Sequence, residues 1–175
     1  PTSLTKICEY AFSDCSNLMK VEIPTNSNLQ TIERNAFSYS KIEEISIPSN
    51  LTKICEHAFS NCSNLKKVEI PTNSNLQTIE RYAFSYSKIE EISIPPSLTK
   101  ICEYAFNYCL NLKKVEIPAN SNLQTIEKNA FSDSNIEEIS IPPSITKICE
   151  YTFNYCLNLK KVEIPTNSNL QTIES

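Results

Sequence analysis

Cysteine is the residue type whose spacing in this chain most suggests chemistry. Among 175 residues there are eight cysteines, arranged as four Cys-x6-Cys pairs that recur every 47 residues. They are Cys8, Cys15, Cys55, Cys62, Cys102, Cys109, Cys149 and Cys156. Eight cysteines at fixed spacing are typical of a disulfide framework or a metal site in an extracellular protein.

The repeat itself argues against a disulfide framework. If each 47-residue period contains two stacked coils, equivalent cysteines lie about 9.5 Å apart, because parallel strands stack about 4.8 Å apart. That distance exceeds the roughly 7 Å that separates bridged Cα atoms at most. Within a coil, we expect a similar separation. We therefore predict free thiols, with the second cysteine of each pair small and buried and the first partly exposed.

Other reactive groups do not assemble into a recognisable catalytic or metal site. A Cys-x6-Cys spacing is a poor zinc motif, and His57 is the only histidine. His57 and Cys55 resemble a base and a nucleophile, but no third residue is placed to orient them. The paired glutamates Glu43–Glu44, Glu90–Glu91 and Glu137–Glu138 are interpreted as a solvated face. The sequence thus predicts a protein that is not an enzyme and has no cofactor.

Glycine is absent from the chain, which has an unusual consequence for its turns. Phosphate-binding loops need glycine where the backbone approaches the ligand, so the sequence excludes nucleotide sites of that kind. Any left-handed turn must be formed by another residue type, and asparagine tolerates that conformation best. We expect Asn26 and Asn73, in the Thr-Asn-Ser-Asn stretches, to hold those positions.

The elements that position these residues are repeats. The segment that opens at Leu4 returns at Leu51, Leu98 and Ile145, and a shorter echo opens at residues 28, 75 and 122. Each unit of 23 or 24 residues ends in Ile-Pro, and the units alternate between two forms. Such a period predicts a solenoid in which each coil buries its apolar face on its neighbours. Residues 1–175 are expected to form one repeat domain of seven coils and a partial eighth, cut from a longer protein.

Within one coil, three short segments have distinct patterns. The residues before each Ile-Pro alternate as in Leu65, Val68 and Ile70, which predicts a strand buried on one side. A second extended stretch follows, as at Leu98 and Ile101. The Ala-Phe segment after it has apolar residues at helix-like spacing and predicts one or two helical turns.

The full pattern, L-x-x-I-x-x-x-A-F-x-x-C-x-x-L-x-x-[VI]-x-I-P, resembles the BspA-type leucine-rich repeat of bacterial and protozoan surface proteins, and the likeness extends along the whole chain. The resemblance implies an α/β-type leucine-rich-repeat solenoid, a right-handed superhelix with a parallel strand ladder on one face and short helical turns on the other. It also implies location at the cell surface or secretion.

Charged residues alternate in sign along the predicted strand ladder. The position four residues before each Ile-Pro proline is lysine in one coil and glutamate in the next. This structural charge ladder consists of Lys20, Glu44, Lys67, Glu91, Lys114, Glu138 and Lys161. Opposite charges on neighbouring strands stabilise a sheet face, whereas like charges destabilise it. We therefore expect a strand face without a strong field for a charged ligand.

Tyrosines supply the one candidate contact surface. Tyr82 and Tyr86, and Tyr104 and Tyr108, are spaced four residues apart on adjacent coils. Tyrosine is enriched at protein interfaces, so these four form a hypothetical partner-binding surface on the convex side. The alternative is that their rings simply cover the edges of the coils.

Function follows from the repeat more than from any single residue. The favoured hypothesis is a non-enzymatic adhesion or binding module that presents an extended surface to protein or glycan partners on a cell surface. The alternative is a structural spacer that projects another domain. The net charge of −4 without a basic stripe argues against nucleic acid, and no apolar run is long enough for membrane insertion. Exposed end coils also predict end-to-end self-association.

Overall fold

The computed structural model describes residues 2–174, which form short parallel strands in two separate sheets. The six-stranded sheet is built from the segments before each Ile-Pro, and the eight-stranded sheet from the second extended stretch. The six-stranded sheet contains Glu44–Ser46, Lys67–Glu69, Glu91–Ser93, Lys114–Glu116, Glu138–Ser140 and Lys161–Glu163. The eight-stranded sheet contains Lys6–Ile7, Thr31–Ile32, Lys53–Ile54, Thr78–Ile79, Lys100–Ile101, Thr125–Ile126, Lys147–Ile148 and Thr172–Ile173.

Both sheets follow chain order, so each strand pairs with the equivalent strand of the coil before and the coil after. The register is strict: Ile45 faces Val68 in the six-stranded sheet, and Ile54 faces Ile79 in the eight-stranded sheet. Strands of two or three residues are too short to be stable alone, and the ladder supplies their missing partners. The result is a parallel β-solenoid of the leucine-rich-repeat type with about seven turns.

The core is a set of columns that run along the solenoid. Leucine, isoleucine, alanine and phenylalanine from every coil meet inside, and those of the central coils are almost fully buried. The phenylalanine column is continuous from Phe12 to Phe153, with successive ring centroids 5.1 to 5.9 Å apart. Because each ring packs on the next coil, a coil is stabilised mainly by its neighbours.

The prediction of helical turns is wrong, because the Ala-Phe segments of residues 2–174 form consecutive β-turns instead of helices. Along such a segment, backbone N–H groups donate alternately to a carbonyl of their own coil and to a carbonyl of the next coil. In one coil, Ala83 donates to Glu80 C=O at 3.1 Å, which closes a turn. The next residue, Phe84, donates to Ala105 C=O of the following coil at 2.9 Å. This alternation excludes the bonds to the fourth preceding residue that an α-helix requires.

Two residues of each turn segment have positive φ, although none is glycine. Each occupies the third position of a turn, where a type II turn requires positive φ. These residues are Tyr10, Asp14, Asn35, Tyr39, His57, Asn61, Tyr82, Tyr86, Tyr104, Tyr108, Asn129, Asp133, Tyr151 and Tyr155. The expectation that Asn26 and Asn73 hold the left-handed positions is therefore wrong. Those asparagines lie in turns closed by Ser27 and Ser74, without positive φ.

Candidate functional site

The six-stranded sheet carries an open groove on its solvent face. Its largest part has a volume of about 820 Å³ and is lined by strand residues from Ser93 to Glu163 and by Pro118 and Asn120 of the following loops. A second part of about 420 Å³ is lined by Ser46, Glu69 and Ser93, among others. Since Ser93 lines both parts, the groove continues along the sheet.

Period-two alternation within each strand decides which side chains line this groove. In Lys67–Glu69 the middle residue, Val68, is buried, and the outer two are exposed. In Glu91–Ser93 the same pattern buries Ile92. The groove floor therefore alternates between a Lys-x-Glu strand and a Glu-x-Ser strand.

The charge ladder lies on this floor. The register places Lys67 beside both Glu44 and Glu91, and it places Lys114 beside both Glu91 and Glu138. The ladder thus has neighbouring strands of opposite charge at this position.

The ladder lysines, however, form their ion pairs within their own strands; the one ion pair across these strands among residues 2–174 joins Lys160 to Glu137, one position before the ladder. Lys67 Nζ lies 2.5 Å from Glu69 Oε1, and Lys114 Nζ lies 2.5 Å from Glu116 Oε1. The hydrogen bond from Lys67 lowers the pKa of the Glu69 carboxyl, and a second hydrogen bond from Ser46 contributes. Equivalent pairs of Glu116 with Lys114 and Ser93 repeat this arrangement.

A surplus of negative charge follows from this pairing. Each pair of coils places one lysine and two glutamates on the floor, because the position after the buried valine or isoleucine alternates between glutamate and serine. The expectation of a strand face without a charge bias is therefore wrong. The second exposed position was missed, although the alternation of Lys-Val-Glu with Glu-Ile-Ser in the sequence would have shown it.

The eight-stranded sheet has ion pairs across coils. Lys53 Nζ lies 2.7 Å from Glu80 Oε1, and Lys100 Nζ lies 2.8 Å from Glu127 Oε1. Beside this sheet, Arg81 pairs with Glu103 at 3.2 Å. These contacts link successive coils. A smaller opening of about 330 Å³ lies beside them and is lined by Glu103, Glu127, Lys128, Cys149, Glu150 and Glu174.

The thiols are free, as the spacing predicted. Cys62, Cys109 and Cys156 are buried, and Cys8 is exposed. The Cys109 thiol donates to Phe84 C=O at 3.2 Å and contacts Ser87 Oγ at 3.3 Å. Burial raises the pKa of Cys109 to about 12. These cysteines act as small buried donors that join one coil to the preceding one.

A thiol nucleophile at Cys55 is disfavoured by its surroundings. Burial, followed by the nearby Glu80 carboxylate, raises the pKa of the Cys55 thiol to about 11. Burial also lowers the pKa of His57, whose ring stacks on Tyr82 at a centroid distance of 4.8 Å. Within residues 2–174 no group of His, Cys, Asp or Glu side chains could hold a metal ion.

The four predicted contact tyrosines form two stacks. Tyr82 packs on Tyr104 at 4.7 Å, and Tyr86 packs on Tyr108 at 4.8 Å, in each case across adjacent coils. Arg81 lies over the Tyr82 ring at 5.2 Å. The outer stack, Tyr86 and Tyr108, remains 48% and 40% exposed.

The stacked short strands, the phenylalanine column and the nearly constant length of the coils define a leucine-rich-repeat solenoid. The sequence matches the BspA type leucine rich repeat region, in six copies, over residues 1–113 and 77–175. The chain belongs to this family. No curated protein matches it.

Solved structures show the same fold. The pneumococcal vaccine antigen PcpA is 27% identical with a TM-score of 0.73, over 97% of this chain and 40% of that protein. A leucine rich cell surface protein from Faecalibacterium prausnitzii is 25% identical with a TM-score of 0.58, over 81% of this chain and 44% of that one. A leucine-rich repeat protein from Bacteroides ovatus is 23% identical with a TM-score of 0.68, over 99% and 61% of the two chains. This chain therefore spans less than two thirds of each of these proteins.

The structure contains no helix between residues 2 and 174 that could cross a membrane.

Proposed function

We propose that this chain is a binding module of a cell-surface protein, and that its groove over the six-stranded sheet receives an extended protein or glycan partner. The observation that carries the proposal is the groove itself, which continues past several coils and is lined by polar side chains over an apolar core. An elongated concavity of this kind suits a long ligand that makes the same contact at each coil.

Surface location is part of the proposal and rests on similarity. PcpA is described as a vaccine antigen, and the Faecalibacterium prausnitzii relative as a cell surface protein. The raised pKa of the Cys55 thiol disfavours the one thiol nucleophile that the sequence suggested.

The tyrosine stacks are a second proposed contact surface. Tyr86 and Tyr108 present large, partly exposed rings, which suit a protein partner. The residues at equivalent positions of other coils show which substitution leaves the backbone undisturbed. Asn61 occupies the positive-φ position equivalent to Tyr86 and Tyr108, and Asn129 occupies the one equivalent to Tyr82 and Tyr104, so asparagine is a compatible substitute at all four tyrosines.

A spacer role is the alternative, and the uninterrupted phenylalanine column favours it. Within residues 2–174 every buried side-chain N or O atom also has a hydrogen-bond partner. Such regular packing suits a stiff rod that projects another domain.

Binding of the purified chain to epithelial cells and to a panel of matrix proteins and glycans tests these proposals. Two variants separate the surfaces: Ser93→Tyr with Ser140→Tyr fills the groove, and Tyr82, Tyr86, Tyr104 and Tyr108 all replaced by Asn removes the stacks. Saturable binding that only the groove variant loses supports the groove. Saturable binding that only the tyrosine variant loses would place the site on the turn segments. Absence of saturable binding by the wild type would favour the spacer role.

A further inference from the structure

We infer that the partner of the groove is a basic polypeptide in the polyproline II conformation, with a positive charge at every third residue. This inference rests on the proposed binding function of the groove and names the chemistry of its partner. Two properties of the groove carry it: the glutamates that are left without an ion-pair partner, and the distance at which they repeat.

The glutamates concerned are Glu44, Glu91 and Glu138, one from every second coil. All three are exposed and line the groove. The lysines that flank them on the neighbouring strands are already engaged, since Lys67 is paired with Glu69 and Lys114 with Glu116. Among residues 2–174 no lysine or arginine lies at ion-pair distance from Glu44, Glu91 or Glu138. Lys67 and Lys114 still interact electrostatically with these carboxylates, but no ion pair holds them, so each can pair with a cation of the ligand.

The spacing of these carboxylates selects the ligand backbone. Neighbouring parallel strands lie about 4.8 Å apart, so glutamates two strands apart repeat at about 9.6 Å. The distance between successive coils is similar in the core, where the ring centroids of Phe37, Phe59 and Phe84 lie 5.2 Å apart from one coil to the next. A polyproline II chain advances about 9.3 Å in three residues and returns to the same side after each turn.

Other common backbones fit this spacing poorly. In an extended β-strand, three residues span about 10 Å, but alternate side chains point to opposite faces, so residues i and i+3 cannot face the groove together. An α-helix returns to the same face after seven residues, which span about 10.5 Å, so its mismatch with the spacing of about 9.6 Å is about 0.9 Å per step, against about 0.3 Å for polyproline II. Charge at every third residue of a polyproline II segment therefore places one basic group opposite each free glutamate, and seven residues suffice to reach from Glu44 to Glu138.

Two synthetic peptides of identical composition test the inference. Arg-Pro-Pro-Arg-Pro-Pro-Arg-Pro-Pro has its charges on one side of a polyproline II helix, whereas Arg-Pro-Pro-Pro-Arg-Pro-Pro-Pro-Arg spreads them around it. Both carry three positive charges with blocked termini. We expect the first peptide to bind the whole chain about tenfold more tightly by fluorescence anisotropy, since three exposed charge pairs each contribute modestly. Equal binding of the two peptides, or binding of neither, would overturn the inference.

Matched variants then locate the contact. Glu44, Glu91 and Glu138 are changed together to Gln. The control changes their neighbours Glu43, Glu90 and Glu137, which carry the same charge but do not line the groove; of these, Glu137 is paired with Lys160 at 3.1 Å. We expect the first variant to lose about tenfold in affinity and the control to lose little. Equal loss in both would show only a general attraction to acidic surface and would also overturn the inference.

The two proposals fail differently. If the variant that lacks Glu44, Glu91 and Glu138 still binds cells or matrix as the wild type does, while the groove-filling variant does not, the groove binds a partner of other chemistry. The proposed function then stands and this inference does not. If the groove-filling variant also binds normally, the proposed groove function fails.

Discussion

Replacing Asn129 by alanine and by glycine measures the backbone conformation of the turn segments directly. Asn129 has a φ of 54°, and its N–H donates to Glu150 C=O at 3.2 Å. Neither substitution removes a side-chain hydrogen bond that the structure shows for Asn129. The difference between the two variants therefore reports chiefly on the cost of a Cβ atom at this backbone position.

The magnitude follows from two opposing effects. A left-handed conformation costs an L-residue about 1–2 kcal/mol, from which glycine is exempt. Glycine loses about 0.5–1 kcal/mol more than alanine through the entropy of the unfolded chain. We therefore expect the Asn129→Gly variant to exceed the Asn129→Ala variant by about 0.5–1 kcal/mol in free energy of unfolding. A helical turn would reverse the order, with alanine favoured by about 1 kcal/mol.

Urea denaturation followed by circular dichroism gives both free energies of unfolding. Asn73 supplies the control, because it lies in a turn but lacks positive φ. There, the alanine variant should be more stable than the glycine variant by about 0.5–1 kcal/mol. The same order at both positions, with alanine more stable than glycine at Asn129 as well, would refute the left-handed turns.

Three further predictions concern the core, the thiols and the histidine. Phe84 is buried between two stacked rings, so Phe84→Ala should cost about 3–5 kcal/mol in urea denaturation. Phe12 is 37% exposed and stacks on one ring, so Phe12→Ala should cost less than half as much, and equal losses would contradict stabilisation by neighbouring coils. Iodoacetamide at pH 8 should modify the exposed Cys8 well before Cys109, whose burial raises its pKa to about 12. Mass spectrometry gives the order of modification, and reaction of Cys109 before Cys8 would contradict the prediction. Because burial lowers the pKa of His57 below its ordinary 6.5, the folded state binds fewer protons, and stability should fall as the pH drops from about 7 to 5. In thermal denaturation, the melting temperature of the His57→Tyr variant should fall less between pH 7 and 5 than that of the wild type. Equal falls in the two proteins would contradict a role of His57.

The strands and the core could be predicted from the sequence because their determinants are local and repeated. Val68 alternates with exposed neighbours, and Phe84 recurs at the same place in every coil, so burial follows from the period alone. The thiol environment was also predictable, since the column that contains Cys109 alternates with small serines such as Ser87.

The turns could not be predicted in the same way. Ala83, Phe84 and Ser87 have the spacing of one helix face, and only the bonds to the next coil exclude a helix. Those bonds join residues more than twenty positions apart, so a local pattern does not report them. The left-handed conformation at Tyr82 was hidden for the same reason, because a bulky residue is a rare choice there and is held in place by its neighbours.

The groove depends on relations that the sequence shows only partly. Ser93 and Glu116 are exposed because side chains alternate between the two faces of a strand, and this alternation can be read from the sequence. The depth of the groove comes from loop residues such as Pro118 and Asn120 that rise beside the sheet. The pairing of Lys114 with its own strand, and not with Glu91, is a matter of side-chain geometry.

A binding site in the groove is tested by the affinity of two matched variants for the matrix component or cell that the wild type binds. Ser93→Tyr with Ser140→Tyr places two rings in the groove, and Thr78→Tyr with Thr125→Tyr places the same rings on the eight-stranded sheet. We expect at least tenfold weaker binding for the groove variant and near wild-type binding for the control. Equal affinities for the two variants would contradict a binding site in the groove.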